Sequence, residues 1–199
     1  MNGKNVFVAV TGASGSIYGL RLMEELCRNG FRVTATVSTS GQLVCREETG
    51  LDLTGDLARA NAALADFLEV EEISLVAPDD LLCSAASGSA APDIMIIAPC
   101  SMGTLARIAC GISGNLIERI ADVMLKEHRQ LLLVPRETPL SEIHLENMLR
   151  LARTGARIIP AMPAFYSHPG CVTDMIDFVV GKVLDQAKID NDLYRRWGN

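Results

Sequence analysis

Residues 6–37, VFVAVTGASGSIYGLRLMEELCRNGFRVTATV, contain the pattern that decides the fold. Five apolar residues, Val6 to Val10, have the pattern of a short buried strand, a glycine-rich turn follows, and helical spacing covers about Ile17 to Arg28. Asn29-Gly30 can end this helix, and a second strand runs from Phe31 to Val37. Because strands joined through a helix pair in parallel, the stretch predicts a βαβ unit and a parallel sheet.

The rest of the chain continues this alternation of helices and strands. Residues 40–70 have a mainly helical pattern, and residues 78–92 form a less regular segment. Later elements are a strand over 94–98, helices over 102–110 and 116–128, a strand over 131–134, a helix that Pro139 introduces, a strand at 158–159 and a helix over 172–187. This order predicts one domain, residues 1–199, folded as a doubly wound α/β/α sandwich of three layers with a mainly parallel sheet.

Composition excludes several classes of partner and location. The formal net charge of -6 argues against a nucleic-acid partner, because phosphate backbones are bound by basic surfaces. No run approaches the ~18 apolar residues of a membrane span. No long apolar segment precedes Val6, so we expect a soluble cytoplasmic protein. Hydrophobic residues make up 49% of the chain, which is more than the core of a small monomer needs, so we expect part of them in subunit interfaces.

The six cysteines are scattered through the chain, with no C-x-x-C spacing and no cluster of histidines nearby. The sequence therefore indicates neither a disulfide framework nor a metal site. We interpret all six as reduced residues of the core: Cys27, Cys45, Cys83, Cys100, Cys110 and Cys171.

The turn after the first strand, TGASGS at residues 11–16, has the composition of an anion site. Glycines and free N–H groups at the start of a helix suit a phosphate. The turn is similar to that of short-chain dehydrogenases, but the second strand ends in Ser38-Thr39-Ser40 where a dinucleotide fold has an acidic residue. These hydroxyls favour a mononucleotide phosphate, with an ordinary helix N-cap by Ser38 or Ser40 as the alternative.

Two further strand ends carry polar residues that suit an anionic ligand. Ser101 and Thr104 open the helix after the strand over 94–98, and Arg136 with Glu137 follows the next strand. Parallel strands end at the edge where α/β proteins bind ligands. An Arg can bind a phosphate with two parallel hydrogen bonds, and an adjacent carboxylate can transfer a proton. A surface ion pair is the alternative interpretation of the two charges.

The helix before the Arg-Glu strand carries Arg119, Asp122 and Lys126, and their spacing puts all three on one face. A salt bridge between Asp122 and Lys126 on a solvated helix is one interpretation. These cations, together with Arg129 and Arg136, are clustered in an otherwise acidic protein. The cluster points instead to an anionic substrate.

Together these segments resemble the flavin prenyltransferases of the UbiX type and the related small subunits that accompany hydroxyarylate decarboxylases. The resemblance covers nearly the whole chain, and its most specific motifs are ADVMLKE, RETPL, HLENM and PAFY, which start at residues 121, 136, 144 and 163. It implies a Rossmann-like fold, FMN in its reduced form as co-substrate, and a homo-oligomer, usually a dodecamer, with active sites shared across subunit contacts. The implied reaction joins the dimethylallyl group of dimethylallyl phosphate to N5 and C6 of reduced FMN without a metal. The prenylated FMN would then serve a UbiD-type decarboxylase.

The resemblance also implies roles for residues at matching positions. The expected catalytic residues are Ser14, Glu48, Arg119, Lys126 and Glu137, of which Ser14 and Glu48 would handle the proton near the flavin. The expected FMN contacts are Gly12, Ala13, Ser14, Ser38, Ser101, Met102, Gly103, Thr104 and Arg136. The expected contacts of the substrate phosphate are Tyr166 and Lys182. Phe165, Tyr166 and Trp197 are candidate walls for the isoprenyl group, with a place in the core as the alternative for Phe165.

The chain departs from the family pattern at Lys182, where the family usually has Arg, and at His128, where Arg is common. A lysine keeps the charge but lacks the bidentate fork, so phosphate binding is expected to change. Two other functions remain as alternatives: a flavin-dependent decarboxylase of the cysteine-decarboxylating type, and a non-catalytic FMN carrier. The P-x-M-N-x-x-M-W motif of those decarboxylases is absent from the chain. A carrier would not need Lys126, Glu137 and Tyr166 together.

Overall fold

The computed structural model describes residues 4–198, which form a parallel sheet of six strands with helices on both faces. The strands are β1 (Asn5–Val10), β2 (Arg32–Val37), β3 (Ser74–Leu75), β4 (Ile94–Cys100), β5 (Gln130–Pro135) and β6 (Arg157–Ile158). The α-helices are α1 (Ser16–Arg28), α2 (Thr39–Thr49), α3 (Leu57–Leu68), α4 (Met102–Ala109), α5 (Leu116–Lys126), α6 (Glu142–Arg153) and α7 (Val172–Ala187). Residues 1–3 and 199 of the predicted domain lie outside the described residues.

The strands lie in the order β3-β2-β1-β4-β5-β6, and every neighbouring pair is parallel. Successive residues of a strand point to opposite faces, so Val6 and Val8 pack with α1, α3 and α7 while Phe7 and Ala9 pack with α4 and α5. The predicted three-layer sandwich is therefore confirmed. The chain changes direction across the sheet between β1 and β4, and folds of this type bind ligands at the carboxyl ends of such strands.

Two element predictions were wrong. Pro139 does not start a helix: α6 begins at Glu142, because Ser141 is its N-cap and accepts a hydrogen bond from the His144 N–H at 3.3 Å. The sequence also did not reveal β3, because Ser74–Leu75 contains one apolar residue, whereas the equally short β6 was predicted from the apolar β-branched pair Ile158-Ile159. Between β3 and β4 the chain forms two single-turn 3-10 helices, Ser84–Ala86 and Gly88–Ala90.

The cysteines are all free, but they are not all core residues. Cys45 and Cys100 are buried, whereas Cys110 and Cys171 are exposed. The prediction was wrong for the exposed pair because both lie at helix ends, Cys110 after α4 and Cys171 before α7.

Apolar side chains lie on the surface as well as in the core. Leu82, Phe165, Val172 and Trp197 are between 68% and 97% exposed, and α6 exposes several more. Surface of this kind is typical of subunit contacts. Phe165 is exposed, so the alternative that it is a core residue is wrong. None of the helices within residues 4–198 has the length and apolarity needed to cross a bilayer.

Candidate active site

The loops after β1, β2, β4 and β5 meet at the carboxyl edge of the sheet. The Thr11 hydroxyl donates to the Pro99 carbonyl at 2.8 Å and accepts from the Ser101 N–H at 2.7 Å, which joins the first loop to the third. Arg136 Nε donates to the Ser14 carbonyl at 3.0 Å, which joins the fourth loop to the first. We call this surface, formed by residues 12–14, 38–40, 101–104 and 136, the strand-end cradle.

The start of α1 is capped by a carboxylate from another helix. Glu48, near the end of α2, accepts hydrogen bonds from the Gly15 N–H at 2.9 Å and from the Ser16 N–H at 2.8 Å. The Ser16 hydroxyl donates to the same carboxylate at 2.5 Å. Gly15 has a φ of 102°, which a residue with a side chain rarely adopts, so the turn that presents these donors depends on glycine.

This capping corrects one expectation from the sequence. The N–H groups at the start of α1 were predicted to hold a phosphate, but the anion they bind is the carboxylate of Glu48. The physical reason is the helix dipole, which favours any negative charge at this position, and α2 brings one from the chain itself. A phosphate must therefore find its donors elsewhere in the cradle.

Glu48 is held in its ionised form. Burial by itself would raise the pKa of its carboxyl, but hydrogen bonds from the Ser14 and Ser16 side chains and from the Gly15 and Ser16 N–H groups bring the pKa below its ordinary value. The structure thus brings Ser14 and Glu48 together, at the two positions that the family resemblance paired. At neutral pH the pair consists of a hydroxyl beside a charged acceptor.

We expect Glu48→Gln to lower the free energy of unfolding at pH 7 by about 1 kcal/mol, at the low end for a charged hydrogen bond because solvent reaches the side chain. Since the folded pKa is lowered, this stabilisation is present above the unfolded value of about 4.3 and is lost as the pH falls through the folded pKa. Urea unfolding at several pH values measures it. Glu47→Gln, at the exposed neighbouring position, is the control. An equal effect of both changes at all pH values would contradict the cap.

The remaining donors of the cradle suit a phosphate-bearing ligand. The N–H groups of Gly12, Ala13 and Ser14 donate no hydrogen bond to any residue of the described chain, 4–198. Ser38 caps α2 by accepting from the Gly41 N–H at 3.0 Å, so the ordinary N-cap that the sequence left open is present at Ser38. Its hydroxyl can still donate to a ligand, because capping uses the oxygen as an acceptor.

The third loop of the cradle repeats this arrangement. Ser101 caps α4 by accepting from the Thr104 N–H at 3.3 Å, and its hydroxyl donates to Thr104 Oγ1 at 3.1 Å. A side chain added at Gly103 would meet no atom within 4 Å, so the first turn of α4 borders open space at Gly103, whereas the Met102 side chain is buried in the core. The helix start and the Thr104 hydroxyl are thus open to an anion, because the Ser101 hydroxyl uses its one proton in the hydrogen bond to Thr104.

Arg136 and Glu137 lie directly after β5, but they do not form a pair with each other. Arg136 is half-buried against the first loop, and Glu137 is exposed. Glu137 Oε1 accepts a hydrogen bond from the Thr138 N–H at 3.0 Å and has no cation within ion-pair distance among residues 4–198. The surface ion pair left open by the sequence is therefore not formed.

Arg119 and Lys126 lie on the outer face of α5, here called the α5 face. Arg119 Nη1 pairs with Asp122 at 3.2 Å, and its Nε donates to the Ala86 carbonyl at 3.3 Å. Lys126 pairs with its neighbour Glu127 at 2.6 Å, so the Asp122–Lys126 bridge considered from the sequence is not formed. Because α5 ends shortly before β5 begins, Lys126 lies near the edge of the sheet opposite the cradle.

Tyr166 and Lys182 lie together on the outer side of α7, here called the α7 face. The ring of Tyr166 meets that of Phe178 edge-on, with 5.6 Å between centroids, and Lys182 Nζ lies 6.0 Å from the same Phe178 centroid. Trp197 packs edge-on against the other side of Tyr166 at 5.2 Å. The two residues predicted to bind the substrate phosphate therefore share one aromatic support.

The predicted site residues thus form three groups: the cradle with Glu48 and Glu137, the α5 face and the α7 face. Within residues 4–198 no hydrogen bond, ion pair or ring contact joins one group to another. Sequence reasoning missed Thr11 and Ser16, which hold the loops of the cradle. Their signal is a hydroxyl directly after a buried strand and at the first position of a helix.

Comparison with known proteins adds to this geometry. The family model described as Flavoprotein matches residues 1–189. The flavin prenyltransferase UbiX of Halalkalibacterium halodurans is 52% identical over 96% of this chain and 92% of its own length. The crystal structure of AnUbiX (PadA1) in complex with FMN and dimethylallyl pyrophosphate has a TM-score of 0.87 and 40% identity over 99% of this chain and 98% of that one. A dodecameric FMN-dependent UbiX-like decarboxylase from Escherichia coli O157:H7 has a TM-score of 0.87 and 42% identity over 98% of this chain and 100% of that one.

These similarities extend over nearly the whole length of each chain, so they include the cradle, the α5 face and the α7 face alike. Sequence identity and fold point to the same relatives. The chain belongs to the flavoprotein family and, within it, to the flavin prenyltransferases of the UbiX type.

Proposed function

We propose that this protein is a flavin prenyltransferase that joins the dimethylallyl group of dimethylallyl phosphate to N5 and C6 of reduced FMN. The observation that carries the proposal is the full-length similarity to named flavin prenyltransferases. In this proposal residues 1–199 act as a single flavoprotein domain. The prenylated FMN is released to a UbiD-type decarboxylase, and the protein works in the cytoplasm.

The cradle supports FMN as the ligand. It offers the hydroxyls of Ser38 and Thr104, the unpaired N–H groups of residues 12–14 and the guanidinium of Arg136, while Ser101 orients Thr104. The start of α4 adds donors at Met102 and Gly103. No acidic residue follows β2, where a dinucleotide ribose would need one. This set of donors fits one phosphate and the polar edge of a flavin.

The candidate site residues divide three tasks in this reaction: charge stabilisation, proton donation and proton removal. Reduced FMN supplies the nucleophilic atoms, and the allylic phosphate supplies a carbon whose positive charge can be delocalised. Arg119, Lys126 and Lys182 stabilise the negative charge of the departing phosphate. Glu137 donates a proton to it. Ser14 passes the proton released from the flavin ring to Glu48, which is ionised at neutral pH.

The separation of these residues in one chain supports a shared active site. The α5 face and the α7 face both lie outside the cradle, so one subunit alone does not surround a phosphate with all the predicted cations. We propose a homo-oligomer in which the faces of neighbouring copies complete each cradle. Exposed apolar residues such as Leu82 and Val172 supply the surface for such contacts. The dodecameric state of the Escherichia coli relative suggests the same number of subunits here.

Anaerobic incubation with reduced FMN and dimethylallyl phosphate, followed by mass measurement of the extracted flavin, tests the reaction. We expect a flavin heavier by one isoprene unit. Unchanged FMN that stays bound would favour the carrier alternative. Release of carbon dioxide from a peptide with a C-terminal cysteine would favour the decarboxylase alternative.

The departure at Lys182 leads to a prediction about phosphate binding. Lys182→Met should weaken binding of dimethylallyl phosphate by roughly 1 to 3 kcal/mol, the range of a charged hydrogen bond, and should leave FMN affinity intact. Lys182→Arg should preserve or improve binding, since the guanidinium offers two aligned donors. Titration of dimethylallyl phosphate into the FMN-loaded variants measures both. Equal affinity of the wild type and the Met variant would remove Lys182 from the site.

A further inference from the structure

The C-terminal segment after α7 folds back onto that helix and is attached to one carboxylate, that of Asp185. Arg196 binds it with both arms of its guanidinium, Nη2 to Oδ1 at 2.9 Å and Nη1 to Oδ2 at 3.1 Å. The Tyr194 hydroxyl donates to Oδ2 at 2.5 Å, and Asn191 Nδ2 donates to Oδ1 at 2.9 Å. Burial by itself would raise the pKa of Asp185, but these hydrogen bonds lower it overall, so the carboxylate is ionised at neutral pH.

The same segment supports the α7 face. The ring of Tyr194 packs edge-on against Phe178 at 5.0 Å, and Lys182 Nζ lies 5.5 Å from the Tyr194 centroid. Gly181 permits this approach, since a Cβ there would overlap the Tyr194 ring at 2.5 Å. Lys182 therefore rests on rings held in place by the segment that Asp185 anchors.

Lys182 and Asp185 have i, i+3 spacing on one helix, which puts a lysine and a carboxylate within reach of each other. They are not paired: within the described residues 4–198, no ion pair joins Lys182 to a carboxylate, and Arg196, Tyr194 and Asn191 occupy both oxygens of Asp185. A lysine engaged by Asp185 would have to break that ion pair before binding a phosphate. An unengaged lysine binds it directly.

We propose that Arg196 is a positioning residue that occupies Asp185 and thereby keeps the Lys182 ammonium available for the substrate phosphate. This inference rests on the proposed function, since it assumes that Lys182 binds that phosphate. The consequence is that loss of Arg196 should weaken phosphate binding because the freed Asp185 carboxylate pairs with Lys182. Removal of the Asp185 charge should then restore phosphate binding.

The test uses the FMN-loaded protein in three forms: wild type, Arg196→Met, and Arg196→Met combined with Asp185→Asn. We expect Arg196→Met to raise the KM for dimethylallyl phosphate about tenfold with little change in kcat, the scale of one weakened charged contact. The double variant should return to within about threefold of the wild type. Arg150→Met, at an exposed position of α6, is the control for loss of a surface charge and should leave KM unchanged.

Two further measurements separate the possible failures. Trp197 is the only tryptophan in the chain, so its fluorescence shows whether the C-terminal segment stays docked against Tyr166 in each variant. Calorimetric titration of dimethylallyl phosphate gives the order of affinities without a need for product. A wild type that binds this phosphate but forms no prenylated flavin would contradict the proposed function, and the order of affinities would still decide the role of Arg196. A double variant no better than Arg196→Met, an unchanged single variant, or a wild type that binds no dimethylallyl phosphate would overturn the inference.

Discussion

Glu137→Gln should retain bound flavin and lose at least about 100-fold in the rate of alkylation, the usual contribution of a positioned general acid. Glutamine keeps the shape of the side chain and can still accept the hydrogen bond from the Thr138 N–H, but its amide has no acidic proton to transfer to the phosphate. Single-turnover kinetics with reduced FMN and dimethylallyl phosphate measure the rate. Flavin absorbance after gel filtration measures retention.

The control for this change is Glu142→Gln, in the exposed first turn of α6. It removes a nearby carboxylate that has no predicted role, so it should leave the rate within about twofold. An unchanged rate in Glu137→Gln would refute the acid role. Loss of flavin from that variant would instead show that Glu137 is structural.

Gly19→Ala should lower the free energy of unfolding more than Glu48→Gln does. In α1 a Cβ at this position would lie far inside the van der Waals distance of the Ala98 carbonyl oxygen and 2.7 Å from a methyl group of Val10. Both neighbours belong to central strands that cannot move aside. We therefore expect a loss of about 3 kcal/mol or more in the free energy of unfolding, beyond the usual cost of overpacking.

Gly103→Ala is the matched control for this prediction. Gly103 also lies in a helix, but a Cβ there meets no atom within 4 Å, so the alanine should be neutral or stabilise α4 by up to about 1 kcal/mol. Urea unfolding of both variants without flavin gives the comparison. Similar stability of the two variants would contradict the close contact of α1 with β4.

Local pattern was enough to predict most of the fold. The βαβ unit over residues 6–37 has a clear period in each element and glycines at its turns, and α7 was predicted with its observed start and end at Val172 and Ala187. Pattern failed where a short strand has one apolar residue, as in β3, or where a cap decides the boundary, as at Ser141. Boundaries depend on single hydrogen bonds, which periodicity does not report.

The site was less predictable because its contacts join distant parts of the chain. Glu48 lies more than thirty positions after the N–H groups that it caps, and only the packing of α2 against α1 brings it there. The family resemblance pointed to Ser14 and Glu48 as a pair, but it gave no sign that the carboxylate takes the predicted phosphate donors. Helical spacing likewise placed Arg119 and Lys126 on one face of a helix, yet it did not reveal that within residues 4–198 no hydrogen bond or ion pair joins that face to the cradle.

In the proposed oligomer, each active site combines side chains that no contact joins within residues 4–198 of a single chain. Subunits with Glu137→Gln have a damaged cradle, and subunits with Arg119→Met have a damaged α5 face, so neither oligomer alone should prenylate FMN at an appreciable rate. The decisive measurement is the mass of flavin formed anaerobically by oligomers reassembled from an equal mixture of the two. Our account predicts that prenylated flavin reappears, because some sites combine an intact cradle with an intact α5 face from another copy. A mixture no more active than its two parents, with mixed oligomers verified by mass, would contradict it.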